Sequence, residues 1–561
     1  MRRVLFLAAC AVALVAAVSP ATAAPQRVAP SSSYLVLYQD GTSLASARLA
    51  VRAAGGFLVR ENLRVGVATA TSSSPTFAAE LAHQGAVAGV ARNKPVGYNA
   101  PATRQRRSAE QLTAAERASL RKLTARAAAP PAADPLGSLQ WDMAMIRATP
   151  SGSYAVEQGD RRVLVGVLDT GIDGTHPDIA PNFDAALSRN FTVDVPLVDG
   201  PCADEADGSC NDAANVDENG HGTHVAGTIA SPLNGFGMAG VAPNVRLVNL
   251  RAGQDSGYFF LQPSVDALTF AGDNGIDVVN MSYYIDPWLY NCTGNPADSA
   301  TAQLEQRTII EATSRALEYA RKNGVTLIAA AGNDHTDLDN PTSDATSPDF
   351  PPATAYPRTV DNSCLNMPTE GPNVVSVGSV GPSTTKADYS NWGAEGVDVT
   401  APGGYFRDLF GTPAYRTVAT QILGPYPLNV AQEEGTLNPD GTPNTPFVVR
   451  DCQGTTCAYY QYIQGTSMAS PHAVGVAALI VSRYGRPDPL RSGLELVPNQ
   501  TEKILMRTAT PHACPNPPVL DYTNVGRPAS WTATCTGTAE ENNIWGTGIV
   551  DALRAVTDRN G

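Results

Sequence analysis

The chain of 561 residues is 43% apolar and 16% charged, contains 49 glycines and 43 prolines, and carries a formal net charge of −14. This composition excludes a disordered or fibrous protein and indicates a globular fold rich in turns, with enough length for several domains. Residues 25–127 hold 14 Lys and Arg against 5 Asp and Glu, whereas residues 128–561 hold 23 against 48. The chain therefore has a basic front and an acidic body.

The first 23 residues have the pattern of a secretory signal peptide. Two arginines precede an apolar stretch, and the small residues Ala21-Thr22-Ala23 form a cleavage pattern. No later stretch approaches the roughly eighteen apolar residues of a membrane span. We therefore predict that residues 1–23 are removed and that the mature protein is secreted, extracellular and without a membrane span.

Nine cysteines are present, and removal of Cys10 with the signal peptide leaves an even number. In an oxidising compartment such a set favours disulfides, and the lack of a Cys-x-x-Cys pair argues against zinc. Sequence does not fix the connectivity. Nearness along the chain favours Cys202–Cys210, Cys452–Cys457 and Cys514–Cys535. Cys292 and Cys364 then remain as the fourth pair.

Residues 24–103 are predicted to form a small α+β unit. Strand-like YLVLY begins at Tyr34 and NLRVGVATA at Asn62, an alanine-rich segment ends at Ala54, and helix-like FAAELAHQG begins at Phe77. A basic unit of this kind can bind nucleic acid or a membrane surface. Because the chain is predicted to be exported and has an acidic body, we expect an intramolecular partner and no nucleic acid.

Residues 104–136 have the composition of a linker. An arginine-rich polar stretch runs from Arg104 to Arg126 and is followed by AAAPPAADP. A domain boundary is therefore predicted near residue 128.

From Val163 onward, short apolar runs alternate with turns and helical segments. This pattern predicts a parallel sheet buried between helices, in which reactive residues lie at the carboxyl ends of the strands. Asp169, Ser282 and Asn333 occupy such ends. The runs are VLVGVLD, VRLVNLR, DVVNMS, GVTLIAAAGN and NVVSVGSV.

Asp169-Thr170-Gly171 could be half of an aspartic-protease dyad, which needs a second Asp-Thr/Ser-Gly turn. Asp255-Ser256-Gly257 is such a turn, but it follows polar residues rather than an apolar strand. The parallel-sheet pattern also differs from two similar β-rich lobes. The dyad is therefore disfavoured.

A second constellation joins Asp169 to His221, in HGTHVAG, and to Ser467, in GTSMASPH. A serine hydroxyl is a weak nucleophile until an imidazole takes its proton, and a carboxylate fixes the tautomer of that imidazole. Ser467 also precedes an Ala/Val/Leu-rich helical run, so the positive helix terminus favours an oxyanion beside it. These residues predict nucleophilic catalysis by Ser467.

The segments LDTGIDGTHPD, HGTHVAG and GTSMASPHAVGVAAL, with AAAGND and the closing GTGIVDALRAV, resemble those of the subtilisin-like serine proteases. The resemblance to these subtilases, peptidase family S8, extends from about Gln140 to Val556 and includes the order Asp, His, Ser. It implies an α/β fold with a subtilisin-like parallel sheet flanked by helices, over residues 137–561. It also implies a small α+β propeptide domain in front.

By this resemblance, Ser467 attacks the peptide carbonyl, His221 acts as general base and then acid, and Asp169 orients His221. Asn333 matches the asparagine whose amide binds the oxyanion. The chain is thus expected to be a serine endopeptidase that cleaves protein or peptide substrates through an acyl-enzyme, with no cofactor for catalysis.

The family binds substrate as an added β-strand, and here Gly257 and Ser282 match its two edges. Ser282-Tyr283-Tyr284 replaces the usual Ser-Leu-Gly. The two tyrosines either narrow the S1 pocket or pack under the insertion that follows. Some sixty residues between Gly403 and Ser467 exceed the compact family pattern and predict a more restricted cleft.

Asp178 and Asn234 match side-chain ligands of a structural calcium site in the family, with carbonyls expected from Pro232, Phe236 and Met238. A further ligand from the mature N-terminus is expected but is not identified by its residue type. The acidic loop from Asp204 to Glu218 and the cluster from Asp334 to Asp349 are interpreted as solvated faces.

The basic front unit resembles the inhibitory propeptide of subtilases. This resemblance implies an inactive precursor that cleaves itself between Pro101 and Pro135 and matures to a monomer. One alternative is a catalytically silent binding protein on the same scaffold. Another is an enzyme that hydrolyses only esters.

Overall fold

The computed structural model describes residues 31–94, 112, 114–119, 134–204, 208–488 and 493–560. The predicted signal peptide and most of the predicted linker lie outside the described residues.

The front unit is a four-stranded antiparallel sheet with two helices on one face, and its strand order is β2-β3-β1-β4. Alternate residues of a strand point to opposite faces. Val36 accordingly packs against the helices of the unit, whereas Leu35 and Leu37 face the body. The elements are β1 (Ser32–Tyr38), α1 (Leu44–Ala53), β2 (Phe57–Asn62), β3 (Val67–Ser72), α2 (Phe77–Ala82) and β4 (Val87–Lys94).

The remaining described helices are α3 (Ala114–Ala118), α4 (Trp141–Met145), α5 (Pro196–Asp199), α6 (His221–Ala230), α7 (Leu261–Asn274), α8 (Ala300–Lys322), α9 (Leu428–Glu433), α10 (Thr466–Tyr484), α11 (Pro498–Thr508) and α12 (Ala552–Thr557). The remaining described strands are β5 (Leu164–Leu168), β6 (Arg189–Asn190), β7 (Arg246–Arg251), β8 (Val278–Met281), β9 (Asn291–Cys292), β10 (Thr326–Ala330), β11 (Ser343–Asp344), β12 (Arg358–Thr359), β13 (Cys364–Leu365), β14 (Val374–Val380), β15 (Val399–Pro402), β16 (Ile422–Tyr426), β17 (Val448–Gln453), β18 (Thr456–Ile463), β19 (Arg486–Pro487), β20 (Leu494–Glu495), β21 (Val519–Leu520) and β22 (Ala533–Thr534).

The body is built on a seven-stranded parallel sheet with the order β15-β14-β10-β8-β5-β7-β6. Helices α6 and α10 contribute to the apolar core on one face, and α7 and α8 to the core on the other. Because both faces are covered, the strands are continuous apolar runs. The five predicted runs form β5, β7, β8, β10 and β14, which confirms the predicted parallel sheet flanked by helices.

The front unit docks on the α7 and α8 face of the body. Leu35 and Leu37 belong to the same apolar cluster as the buried residues of those helices. At the edge of this contact, Arg60 pairs with Asp266, and Asn62 Nδ2 donates to Asp266 Oδ1 at 2.9 Å. Basic and polar groups of the front thus meet an acidic helix of the body.

The predicted insertion before Ser467 forms a three-stranded antiparallel sheet with the order β16-β18-β17, together with α9. Strand β16 packs on α6. Among the described helices, none has both the length and the apolar composition needed to cross a membrane. The disulfides are the three pairs that nearness along the chain favoured, Cys202–Cys210, Cys452–Cys457 and Cys514–Cys535, and the pair that remained, Cys292–Cys364.

Candidate active site

Asp169 directly follows β5, and its side chain is completely buried. Its main-chain oxygen accepts from the amides of Ala252 and Gly253, both at 3.1 Å, which ties it to the neighbouring strand β7. Its Oδ1 accepts from the amide of Thr170 at 2.8 Å and lies 2.7 Å from His221 Nδ1. The carboxylate is therefore fixed at the carboxyl edge of the sheet with its partner in contact.

His221 is the first residue of α6, and a second aspartate holds the start of this helix. Asp217 Oδ1 accepts from the Gly220 amide at 2.9 Å, and Oδ2 accepts from the Thr223 amide at 3.0 Å. Gly222 allows the helix to approach the sheet, because a Cβ there would lie 2.1 Å from the Gly171 oxygen. Asp217 thus caps the helix that carries the imidazole.

Ser467 is the second residue of α10 and lies where the first amides of the helix have no partner within the helix. Its Oγ donates to the Ser282 oxygen at 3.4 Å, and Ser282 Oγ donates to the Ser467 oxygen at 3.2 Å. The hydroxyl of Ser467 therefore sits at the positive end of a 19-residue helix, against the end of β8.

Asn333 follows β10 and contacts the same helix terminus. Its Oδ1 accepts from both the amide and the hydroxyl of Thr466, each at 2.9 Å. This contact turns the NH2 group of Asn333 away from Thr466. Asn333, His221 and Ser467 line one cleft.

Ser282 and Gly257, the predicted substrate-binding residues, also line this cleft. Beyond Ser282, Tyr283 stacks on Phe259 with ring centroids 4.2 Å apart, and it both lines the cleft and packs into the core. Tyr284 donates from its hydroxyl to Asp349 Oδ2 at 2.7 Å. Both tyrosines therefore contribute to the cleft wall, and Tyr284 is additionally packed under the insertion.

The model of the subtilase family matches residues 160–548 of this chain. The chain belongs to the subtilase family. As a member, it is a serine endopeptidase of the subtilisin type that acts on peptide substrates.

Two curated relatives show the extent of the similarity. Subtilisin DY of Bacillus licheniformis is 29% identical over 322 residues, which are 57% of this chain and 77% of that protein. The thermophilic serine proteinase of Bacillus sp. strain AK1 is 29% identical over 344 residues, 61% of this chain and 58% of that protein. The chain thus spans just over half the length of the second relative.

Two solved structures share the fold of this subtilase. The epidermin leader peptide processing serine protease of Staphylococcus aureus has a TM-score of 0.61 at 21% identity, over 95% of this chain and 99% of that chain. Fervidolysin of Fervidobacterium pennivorans has a TM-score of 0.54 at 20% identity, over 94% and 62%. At these identities, the likeness establishes the architecture.

Two further histidines of the subtilase are buried in the core of the body rather than placed in the cleft. His224 is buried, which lowers its pKa to about 3, and its Nε2 donates to the oxygens of Ile422 and Gln461, both at 3.2 Å. His472 Nδ1 lies 2.8 Å from the Met468 oxygen, and its Nε2 lies 3.0 Å from Asp142 Oδ2. Neither imidazole is part of the cleft lining.

The interpretation of the two acidic segments as solvated faces is wrong for several of their acids. Asp212 and Asp217 of the first are buried, and Asp344 of the second is buried with its Oδ2 at 2.5 Å from Arg358. The arginine partners of Asp212 and Asp344 lie 39 and 14 residues away, so the local pattern gave no sign that these two acids are buried. Asp212 instead pairs with the buried guanidinium of Arg251.

Arg251 also pairs with Asp194 at 3.0 Å and with Asp255 at 2.8 Å, and all these side chains are fully buried. Burial acts to lower the pKa of Arg251, but the three carboxylates outweigh it and raise that pKa. Burial also raises the pKa of Asp194, to about 7. Asp255, the residue of the disfavoured dyad, is therefore part of a buried ion cluster beside the cleft.

The predicted metal ligands differ in exposure. Asp178 is buried, and Oδ2 accepts from the Met238 amide at 2.9 Å, whereas Oδ1 has no hydrogen-bond partner among the described residues. Burial raises the pKa of Asp178 to about 8. Asn234 is exposed, and its Oδ1 accepts from the Phe236 amide at 2.8 Å.

A third oxygen donor at this loop was missed by the sequence analysis. Asp134 Oδ1 accepts from the Gly235 amide at 2.6 Å, and its buried Oδ2 has no partner within the described part of the chain. Asp134 lies three residues before the predicted start of the catalytic domain at residue 137, and this position was the signal that the sequence offered.

Replacement of Arg251 by Met in a Ser467→Ala background is expected to lower the free energy of unfolding by about 3 to 5 kcal/mol, because three buried carboxylates lose their cation. Urea unfolding followed by fluorescence measures the loss, and the inactive background prevents self-digestion. As a control, Arg162→Met removes an exposed pair with Asp160 and should have a much smaller effect, because solvent screens that pair. Equal losses in the two variants would contradict the prediction.

Proposed function

We propose that this subtilase is a secreted, extracellular endopeptidase that hydrolyses peptide bonds with Asp169, His221, Ser467 and Asn333. The observation that carries the proposal is the 2.7 Å contact between the Asp169 carboxylate and His221 Nδ1, beside the cleft that Ser467 and Asn333 also line. Because a carboxylate oxygen only accepts, His221 donates from Nδ1 and keeps Nε2 as the base.

In the first half of the reaction, Nε2 of His221 takes the proton of Ser467 Oγ, and Oγ bonds to the carbonyl carbon of the substrate. The imidazolium is stabilised by Asp169 and then protonates the leaving amine as the peptide bond breaks. In the second half, His221 takes a proton from water as its oxygen bonds to the acyl carbon, and then returns that proton to Ser467 Oγ as the ester bond breaks. Acid and base roles thus alternate on one nitrogen.

The negative charge on the carbonyl oxygen is stabilised by two donors that are fixed before reaction. One is the amide of Ser467 at the start of α10, and the other is the NH2 group of Asn333, whose opposite end is held by Thr466. Donors that need no reorientation lower the barrier more than water does.

Ser467→Ala is expected to lower kcat for peptide hydrolysis by about a million-fold, and Asn333→Ala by about 100- to 1,000-fold. Casein digestion by proteins freed of the front unit measures the two losses in kcat, and labelling by a fluorophosphonate reports the loss of the nucleophile in Ser467→Ala. Ser482→Ala, which removes a half-buried hydroxyl farther along α10, should retain activity. A mature wild type that does not label would favour the silent binding protein, and labelling with ester but not casein hydrolysis would favour the esterase.

We further propose that the front unit is an inhibitory propeptide and that the mature enzyme is a monomer. Charge supports the first proposal, because Arg64 pairs with Asp273 at 3.2 Å and the Arg92 amide donates to Glu305 Oε1 at 3.0 Å. These contacts extend the pairing of Arg60 with the acidic face of the body. Complementary charge favours docking of the front unit on this face.

Self-processing predicts that wild-type protein loses the front unit by cleavage between Pro101 and Pro135, whereas Ser467→Ala keeps it. Intact mass and N-terminal sequencing of the two secreted products measure the difference. Ser482→Ala again serves as the control and should mature like the wild type. A Ser467→Ala product cut at the same position would show that another protease matures the chain.

We also propose a structural calcium ion held by Asp178, Asn234 and Asp134. The two buried carboxylate oxygens without partners, on Asp178 and Asp134, support it because hard oxygen donors are the ligands that calcium prefers. The carboxylates and the carbonyls of the 234–238 loop would hold the ion. Calcium here would stabilise the fold and take no part in peptide hydrolysis.

Calcium at a hundred-fold excess over its Kd is expected to stabilise the Ser467→Ala protein by about 2.7 kcal/mol. Thermal unfolding in calcium and in chelator measures the shift. Asp178→Asn should abolish it, whereas Asp440→Asn, on an exposed loop, should preserve it. A wild-type unfolding temperature independent of calcium would contradict the site.

A further inference from the structure

The turn that carries Asn333 is bonded to the side chain of a second asparagine, Asn391. Asn391 Oδ1 accepts from the Asp334 amide at 3.1 Å and from the Thr336 amide at 2.8 Å. Its Nδ2 donates to the Ala331 oxygen at 2.9 Å. These contacts lie before and after Asn333 in the chain. The side-chain amide of Asn391 therefore spans the turn and fixes the backbone on both sides of Asn333.

The backbone of Asn391 also lies close to this turn. Its N–H donates to the Gly332 oxygen at 3.0 Å. Gly332 has a φ of +103°, and a Cβ there would lie 2.4 Å from Asn391 Nδ2, so position 332 has no room for a side chain. The Gly332 amide donates to Thr466 Oγ1 at 3.1 Å. The residue before Asn333 is thus bonded both to Asn391 and to the start of α10.

Asn391 itself has a fixed position. It is 1% exposed, and the residue before it connects it to the parallel sheet. Ser390 Oγ accepts from the amide of Ser379, in β14, at 3.0 Å and donates to the Asn391 oxygen at 3.0 Å. On the other side, the Trp392 amide donates to the Thr336 oxygen at 3.0 Å. Asn391 therefore joins the turn to a strand of the sheet.

The described residues that line the cleft include Asn333 but not Asn391. An effect of Asn391 on the reaction must therefore pass through a residue that does line the cleft. A donor lowers the barrier only when it points to the place where negative charge develops, and a misplacement of about 1 Å can cost about 100-fold in rate. Thr466 holds the tip of the Asn333 side chain, and Asn391 holds the backbone around it.

We infer that Asn391 is a positioning residue for peptide hydrolysis, because it holds the turn from which the NH2 group of Asn333 reaches the oxyanion. The inference rests on the proposed endopeptidase function and adds a residue that acts without contact to the substrate. The negative charge forms on the substrate oxygen only when Ser467 attacks. Loss of the Asn391 side chain should therefore slow the chemical step and leave substrate binding nearly unchanged.

The test compares the wild type with Asn391→Ala, both as mature enzymes and on one peptide substrate. The value of kcat should fall by about 10- to 100-fold, and KM should change by less than about two-fold, because a shifted oxyanion donor weakens only the transition state. Each rate is divided by the number of Ser467 sites that a fluorophosphonate labels at completion, so unfolded molecules are not counted. The pH profile of kcat/KM should not change, since Asp169 and His221 keep their contact.

A double-mutant cycle identifies the residue through which Asn391 acts. In an Asn333→Ala background, Asn391→Ala should lower kcat by less than about two-fold, because the donor that it positions is already absent. A general structural role would repeat the full loss there. Asn391→Asp keeps the two acceptor contacts but places an oxygen against the Ala331 oxygen, and it should also lower kcat only when Asn333 is present. If Asn391→Ala does not fold, the cycle with Asn391→Asp decides.

Asn182→Ala is the matched control. Asn182 is 2% exposed, and its Nδ2 donates to the Ala230 oxygen at 2.8 Å and to the Pro243 oxygen at 2.7 Å. None of these three residues belongs to the cleft lining. Both substitutions remove a buried amide that bonds to the main chain, so both should lower the stability to urea in a Ser467→Ala background. Only Asn391→Ala should lower kcat.

A kcat of Asn391→Ala within about two-fold of the wild-type value would overturn the inference. The same fall in kcat with and without the side chain of Asn333, or an equal fall in Asn182→Ala, would also overturn it. Each of these results leaves the endopeptidase function intact. No hydrolysis of peptides by the wild type, together with no fluorophosphonate label on Ser467, would overturn the proposed function itself.

Discussion

The hydrogen bond between Asp169 and His221 joins the end of a buried strand to the start of a helix, and the site depends on that junction. In a parallel sheet, all strands end at one edge, so Asp169, Ser282 and Asn333 arrive there from three strands. Helix α10 begins at the same edge and brings Ser467. The close approach of α6, which Gly222 permits, closes the remaining gap. The side chains of the candidate site therefore meet at this edge because of the sheet topology.

Much of the negative charge of the body lies inside the molecule rather than on its surface. Three carboxylates surround Arg251, and Asp217 caps the helix of His221. The net charge of the sequence therefore overstates the acidic surface. The docking of the front unit is better explained by particular acids on its contact face, such as Asp266, than by the total charge. Electrostatic attraction here is local.

Sequence was sufficient for the sheet, the cysteine pairs and the residues of the candidate site, because each depends on a short pattern or on nearness along the chain. It was insufficient for Arg251 and Asp134. Asp194 and Asp212 reach Arg251, and Gly235 reaches Asp134, from loops that are distant in sequence, and burial of a charged side chain leaves no trace in the neighbouring residues. The insertion between Gly403 and Ser467 was visible as extra length. Which residues of an insertion reach the cleft depends on tertiary packing.

His224 links the insertion to the helix of the candidate site. Its Nε2 donates to main-chain oxygens of β16 and β18, and Gly424 lies so close that a Cβ there would be 2.5 Å from the imidazole ring. Deletion of the insertion before Ser467 would remove both hydrogen-bond acceptors of the buried His224, which lies one helical turn after His221. An engineer who shortens the chain must therefore redesign position 224 in the same step.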